Sequence, residues 1–404
     1  MNKIFRLEGI VQHYNWGGNA FIPQLLGKNN TEGKPYAEYW MGAHINAPAW
    51  IAHVDQRVPL NDFIKREPVS TLGEAVSVKF GNLPYLLKVL DVKDMLSIQV
   101  HPDKQTASRE FEAENKKGMA VNAPDRNYKD ANHKPELMAA LSEFWLLHGF
   151  KPVQQLKKTL GEIPELQYLI TIFNNGGYEG LYRHVMQLGQ SEVNAQLQPL
   201  LDRISFAYEN GKLSRNQEDF WAARAGRLYT NNGNIDRGLY SIYLFNVVHL
   251  KPGQAIFQDA GVPHAYLEGQ NMEIMANSDN VLRAGLTSKH IDVEELIRNT
   301  KFEATIPNKI EGRKRAGSPE EIYDTPAADF CLSRIIMKES QQFTFDALSV
   351  DIYFVLQGEA EITGNDEPIH IKQGESFLAI IGAHPVIRAL TDIVCFRASV
   401  PQSQ

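Results

Sequence analysis

Two stretches of the chain repeat one pattern, and that repetition limits the folds open to it. His249 to His264 reads as an apolar strand, a Lys251-Pro252-Gly253 turn, a second strand, Gly261 and then a histidine. His370 to His384 repeats the order with Lys372-Gln373-Gly374, Gly382 and His384. Just before the second copy, Leu356 to Ile362 reads as strand, Gly358 turn, strand. Hairpin chemistry alone can produce such likeness, but two copies of one unit is the favoured reading. Short strands joined by glycine turns suit a double-sheet jelly roll.

Other runs agree. Leu86 to Leu90, Phe245 to Leu250 and Val350 to Leu356 are β-branched or apolar stretches of strand length. Residues 151 to 225 differ. Val153 to Leu160 carries apolar residues at helical spacing, and Ser214 to Asp219 has the N-cap and early acidic residues of a helix start. A length of 404 residues exceeds one hydrophobic core. The expected division is a first block over 1–150, a helical insertion over 151–225, the rest of the first block over 226–318, and a second block over 319–404.

Charge and cysteine content narrow the function. A net charge of −7 gives no electrostatic reason to expect nucleic acid or an anionic membrane as partner. Cys331 and Cys395 are too few for a disulfide framework. The N-terminus lacks the apolar run of a signal peptide, and no stretch reaches the length of a membrane span. The expectation is a soluble, cytoplasmic monomer acting on a small molecule.

Three segments carry candidate chemistry. Gln99 and His101 lie two apart in a run that reads as strand, so both side chains leave one face. In Asn132-His133-Lys134-Pro135-Glu136, Pro135 holds Lys134 extended, which sends Lys134 and Glu136 to one side and His133 to the other. Taken singly, the first pair is weak evidence and reads better as solvated side chains on an outer sheet face, and the second is more often a solvated turn. His264 follows a Gly-Val-Pro turn. Together Gln99, His101, Glu136 and His264 supply two imidazoles and two oxygens, a set that suits zinc or a similar divalent ion. Twelve histidines make some such combination easy to find, so spacing alone leaves it open. Glu273 to Gly285 is dense in polar residues. There Arg283 could meet an anion bidentately or simply pair with Asp279. The glycine-rich dinucleotide, P-loop, serine-elbow and Cys-x-x-Cys signatures are absent.

These residues resemble one family, type I mannose-6-phosphate isomerase (phosphomannose isomerase) of the cupin superfamily. Tyr128 to Glu136 matches its Y-x-D-x-N-H-K-P-E motif at every fixed position. His264 through Glu273 to Gly285 matches its second long motif, and Gln12 to Gly17 and Ala37 to His44 are similar to further segments. The resemblance spans essentially the whole chain. Two positions depart from it: Ser288 stands where Pro is usual, and Tyr39 where Leu is usual.

The resemblance implies a mainly β fold of two cupin-like jelly rolls with a helical domain inserted in the first. It implies zinc-dependent interconversion of mannose 6-phosphate and fructose 6-phosphate through a cis-enediol. One Zn2+ per chain would be held by Gln99, His101, Glu136 and His264, with Arg283 catalytic. Such an isomerisation opens the ring and moves a proton between C2 and C1. Lys88, His133, Lys134 and Asp279 are the candidates for proton transfer, His133 and Asp279 suiting ring opening. Lys88 lies in an apolar run, where desolvation would lower its pKa toward a useful range, or where it equally well snorkels from a strand edge. A sugar-phosphate sensor on the same scaffold would have lost a metal donor or Arg283, and all five are present. An iron oxidoreductase would want a two-His, one-carboxylate set, and Gln99 counts against it. The C-terminal block, whose only donors near a turn are His370 and His384, is expected to be structural or to cover part of the active-site side.

Overall fold

The computed structural model describes residues 2–53 and 56–401. It is 31% strand and 29% helix, so the molecule is sheet-rich but holds nearly as much helix. Among the described residues the strands form sheets of eleven, nine and four members.

Both repeated segments fold alike. Phe245–Leu250 pairs with Phe144–Phe150. After a turn through Gly253 at φ +89°, Gln254–Gln258 pairs instead with Glu136–Ala140. In the second copy Ile369–Lys372 pairs with Glu359–Thr363. Past Gly374 at φ +81°, Ser376–Ala379 pairs with Asp351–Gln357. Each Lys-x-Gly turn needs a left-handed residue, and glycine supplies it without steric cost.

One strand organises the site. His264–Ala276 is 13 residues long and changes partners midway. Residues 269–276 lie against Tyr85–Val92, whereas His264 to Glu268 lie against Phe144–Phe150. The change falls at Gly269, at φ +129°, where a Cβ would sit 2.6 Å from the Phe144 ring. Only glycine lets the strand cross there.

Three expectations need correcting. The helical run continues past residue 225, because the helix Glu218–Tyr229 crosses that point on its buried Trp221, Ala222 and Ala225, and the wholly buried Gly238–Leu244 follows. Its start also differs. Ser214 donates its N–H to Gln217 Oε1 and forms a turn, so the helix begins three residues later than the capping pattern implies. The N-terminal strand Ile4–Glu8 belongs with the C-terminal part of the chain, pairing Ile4 with Ala379. Cys331 and Cys395 are free thiols.

Candidate active site

His101, Glu136 and His264 converge, their ligand-type atoms all within 4.8 Å of one another. His101 follows the strand Ile98–Val100, Glu136 opens the strand Glu136–Ala140, and His264 opens the long bent strand. Glu136 lies between the rings: Oε1 is 3.4 Å from His101 Nε2 and Oε2 is 3.4 Å from His264 Nε2.

Backbone carbonyls set the ring orientations. His101 Nδ1 meets Asn280 O at 2.8 Å, and His264 Nδ1 meets Val262 O at 2.9 Å. Each Nδ1 must therefore carry its hydrogen, leaving both Nε2 lone pairs aimed at a carboxylate that also offers only lone pairs. His101 Nε2 is buried without a hydrogen-bond partner. Burial pushes His101 down to about 4, so it does not protonate to resolve the conflict. Three buried acceptors facing one another fit a cation, and imidazoles fixed through Nδ1 to carbonyls are how proteins orient metal ligands. Gln99 stands in register with His264, lines the same cavity and has no side-chain hydrogen bond among the described residues.

Cations ring this group. Lys134 Nζ lies 3.1 Å from Glu136 Oε1. Burial would raise the Glu136 pKa, but the Lys134 ammonium beside it holds it well below the usual carboxylate range. Lys88 Nζ lies 3.2 Å from Glu273 Oε2, 3.3 Å from Glu38 Oε2 and 5.0 Å from the centre of the Trp40 ring. This overturns the expected low pKa for Lys88. Burial does push it down, but two carboxylates outweigh burial and hold it above its ordinary value, a fixed cation. Glu273, which also accepts from Tyr266 Oη at 2.8 Å, is pushed up by burial despite Lys88.

Lys88, Lys134, Glu38, Glu136, Glu273 and Gln99 line a small cavity of about 60 Å³. Glu38, Leu96 and Gln99 also line a cleft of about 660 Å³, so the two adjoin. Arg283 and Lys289 face that cleft, and neither side chain has an ion pair among the described residues.

The other two candidates lie elsewhere. His133 lines neither space; its Nε2 meets Asp329 Oδ2 at 2.9 Å, because Pro135 keeps the segment extended and alternate side chains diverge. Asp279 sits on a neighbouring cleft, where His44 Nε2 is 3.2 Å and Asn46 Nδ2 3.3 Å from its carboxylate. Burial would raise the Asp279 pKa, and His44 with Lys134 and Lys88 lowers it. Glu38, Glu273, His44 and His148 are absent from the sequence-derived set. His148 stands in register with His264 on its other side, buried, with Nδ1 unpartnered.

Much of the polar density in the two long motifs is scaffolding. Asp130 accepts from the N–H of Asn132 and of Asp279 and from Ser278 Oγ, while Asn280 Oδ1 accepts from Lys129 N–H. Tyr128 donates to Glu295 at 2.6 Å. These bonds tie residues 128–132 to 278–280 and so hold the carbonyl that orients His101. Tyr39 is buried and accepts from Gly9 N–H. Ser288 lines the cleft beside Lys289.

A buried His–Glu–His group beside fixed cations, opening on a polar cleft, defines a metalloenzyme site for a small anionic substrate. Residues 4–153 match the model of the phosphomannose isomerase type I catalytic domain. The mannose-6-phosphate isomerase of Escherichia coli is 36% identical, covering 94% of this chain and 96% of its own; that of Homo sapiens is 34% identical, covering 98% of each. A zinc-bound crystal structure of mannose 6-phosphate isomerase superposes with a TM-score of 0.87 at 33% identity, covering 99% of this chain and 100% of its own. The Salmonella typhimurium structure with fructose 6-phosphate and zinc gives the same figures. The chain belongs to the type I phosphomannose isomerase family.

Proposed function

We propose that this chain is a zinc-dependent aldose–ketose isomerase that interconverts mannose 6-phosphate and fructose 6-phosphate. The observation that carries the reading is the orphaned His101 Nε2 facing Glu136 and His264, an arrangement of acceptors that a divalent cation completes. His101, Glu136, His264 and Gln99 would hold one Zn2+. When bound, the ion supplies Lewis-acid polarisation of a substrate oxygen.

The chain's own groups divide the remaining work. Lys88, kept protonated by Glu38 and Glu273, offers fixed positive charge where enediolate oxygen charge develops. Lys134 and Glu273 are placed to move the proton between C2 and C1, and burial raises the Glu273 pKa toward the working pH of a base. Arg283 adds a second guaranteed cation at the cleft, and Lys289 beside it suits the phosphate. Asp279, paired with His44, is the better placed of the two ring-opening candidates. His133 is engaged by Asp329.

The same reading divides the chain into two cupin-like jelly rolls with a helical domain inserted in the first from residue 151. Its C-terminal roll is structural: His370 and His384 are exposed and pair singly with Glu359 and Asp346. We read the protein as cytoplasmic and monomeric; its net charge of −7 offers nucleic acid no attraction. Among the described residues no helix is long and apolar enough to cross a membrane.

A coupled assay on mannose 6-phosphate, before and after chelation and zinc return, tests the function. Activity should vanish and reappear, with one ion per chain by elemental analysis. His101→Ala and His264→Ala should each lose ion and activity together. Full turnover in verified metal-free protein would refute the assignment.

A further inference from the structure

Arg283 lies on the short strand Leu282–Gly285, in register with Gln99. The chain leaves that strand through an unusual corner. Gly285 has φ +137°, and Leu286 has φ +52°, a left-handed conformation that leucine adopts only under constraint. The constraint comes from the helical part of the chain. Asp236 Oδ1 accepts the N–H of Gly238 at 2.7 Å and of Leu286 at 2.8 Å, and its Oδ2 accepts the N–H of Thr287 at 3.2 Å. The two backbones touch at this corner: a Cβ on Gly285 would sit 2.4 Å from Gly238 Cα, so only glycine fits.

The helical part also grips the paired strand from its other end. Arg224 donates to Lys93 O and Tyr229 to Met95 O, just ahead of Ile98–Val100, which carries Gln99. Leu228 and Tyr229 form part of the wall of the cleft that Arg283 faces. Both approaches to the strand pair bearing Gln99 and Arg283 are thus pinned from outside the metal-bearing sheet.

We propose that Asp236 is a positioning residue for Arg283, its carboxylate fixing the corner at Leu286 and Thr287 so that the guanidinium is aimed into the cleft. The inference rests on the reading of Arg283 as catalytic. Asp236 touches no substrate; it acts through the strand it anchors, and a displacement of about 1 Å in a catalytic group can cost on the order of 10²-fold in rate.

The test is a double-mutant cycle on the zinc-loaded protein. Asp236→Ala should keep one zinc per chain and lower turnover roughly 10- to 100-fold with less than about a threefold change in KM. Asp236→Asn, which retains Oδ1, should lose only about threefold. In an Arg283→Ala background both losses should shrink to under about twofold. Should Asp236→Ala fail to fold, the Asp236→Asn pair carries the same comparison. Equal losses in both backgrounds, unchanged turnover, or a rise in KM alone would overturn the positioning role while leaving Arg283 catalytic. Near-native turnover for Arg283→Ala itself would overturn the catalytic reading, and the role of Asp236 with it.

Discussion

Lys134 and Glu136, two residues apart across Pro135, meet at 3.1 Å inside the cavity, while the intervening geometry turns His133 outward to Asp329. A proline between two charged residues has forced them onto one face, and the contact places a cation directly against a carboxylate that also serves two imidazoles.

That contact separates two roles. Glu136→Gln should weaken zinc binding at least about tenfold in a competition titration, since a neutral amide donates less charge to the ion. Lys134→Ala should leave the zinc bound and lower turnover about 10²-fold, the scale of losing one proton-transfer group. Loss of zinc from Lys134→Ala would show instead that the lysine serves only to hold Glu136.

Lys88 is flanked in register by Trp40 on one side and Glu273 on the other, and it neutralises both Glu38 and Glu273. Lys88→Met should leave two buried carboxylates without a counter-ion and cost roughly 3 kcal/mol in urea unfolding. The Glu273 pKa, already raised, should rise further. A base must be deprotonated to act, so the acidic limb of the turnover profile should move to higher pH. An unmoved limb would remove Glu273 as the base.

The buried His148 offers a stability test. Burial, with His264 beside it, pushes its pKa down to about 4 from an ordinary 6.5. The unfolded chain therefore binds a proton in this interval that the folded chain refuses. Stability is full above about pH 6.5 and falls as pH drops toward 4, by up to about 1.4 kcal/mol per pH unit from this group. His148→Leu should flatten that part of the unfolding curve in metal-free protein. An unchanged slope would mean that His148 protonates freely when folded.

Local rules made part of this site legible. The two-residue alternation joins Gln99 to the His101 face, the proline rule joins Lys134 to Glu136, and the repeated Lys-x-Gly turns mark where one strand ends and the next begins. Neighbours set by register escaped. Glu273 and Trp40 reach Lys88 only because Tyr85–Val92 lies between two strands distant in sequence, and that pairing reversed the expected pKa of the lysine. His148 meets His264 for the same reason. The helix expected to start at Ser214 began later because Gln217 captured the serine N–H, a competition between local bonds that capping patterns do not rank.

Arg283 provides the sharpest test of how the cleft divides its charge. It shares the cleft with Lys289, and neither has an acidic partner among the described residues, so one substrate anion cannot be assigned to either by pairing alone. Their chemistry differs. Guanidinium stays protonated at any working pH and makes a good fixed charge beside a forming enediolate, whereas a lysine on a flexible stem suits a ground-state phosphate. An interaction made mainly in the transition state lowers turnover when removed, and a ground-state contact weakens apparent binding. Arg283→Ala should therefore keep the fold and the zinc and lose about 10²-fold or more in turnover with little change in KM. Lys289→Ala should raise KM about tenfold and leave turnover within a few-fold. The reverse pattern, measured on the same zinc-loaded preparations, would assign Arg283 to the phosphate and leave Lys134 and Glu273 to carry the chemistry.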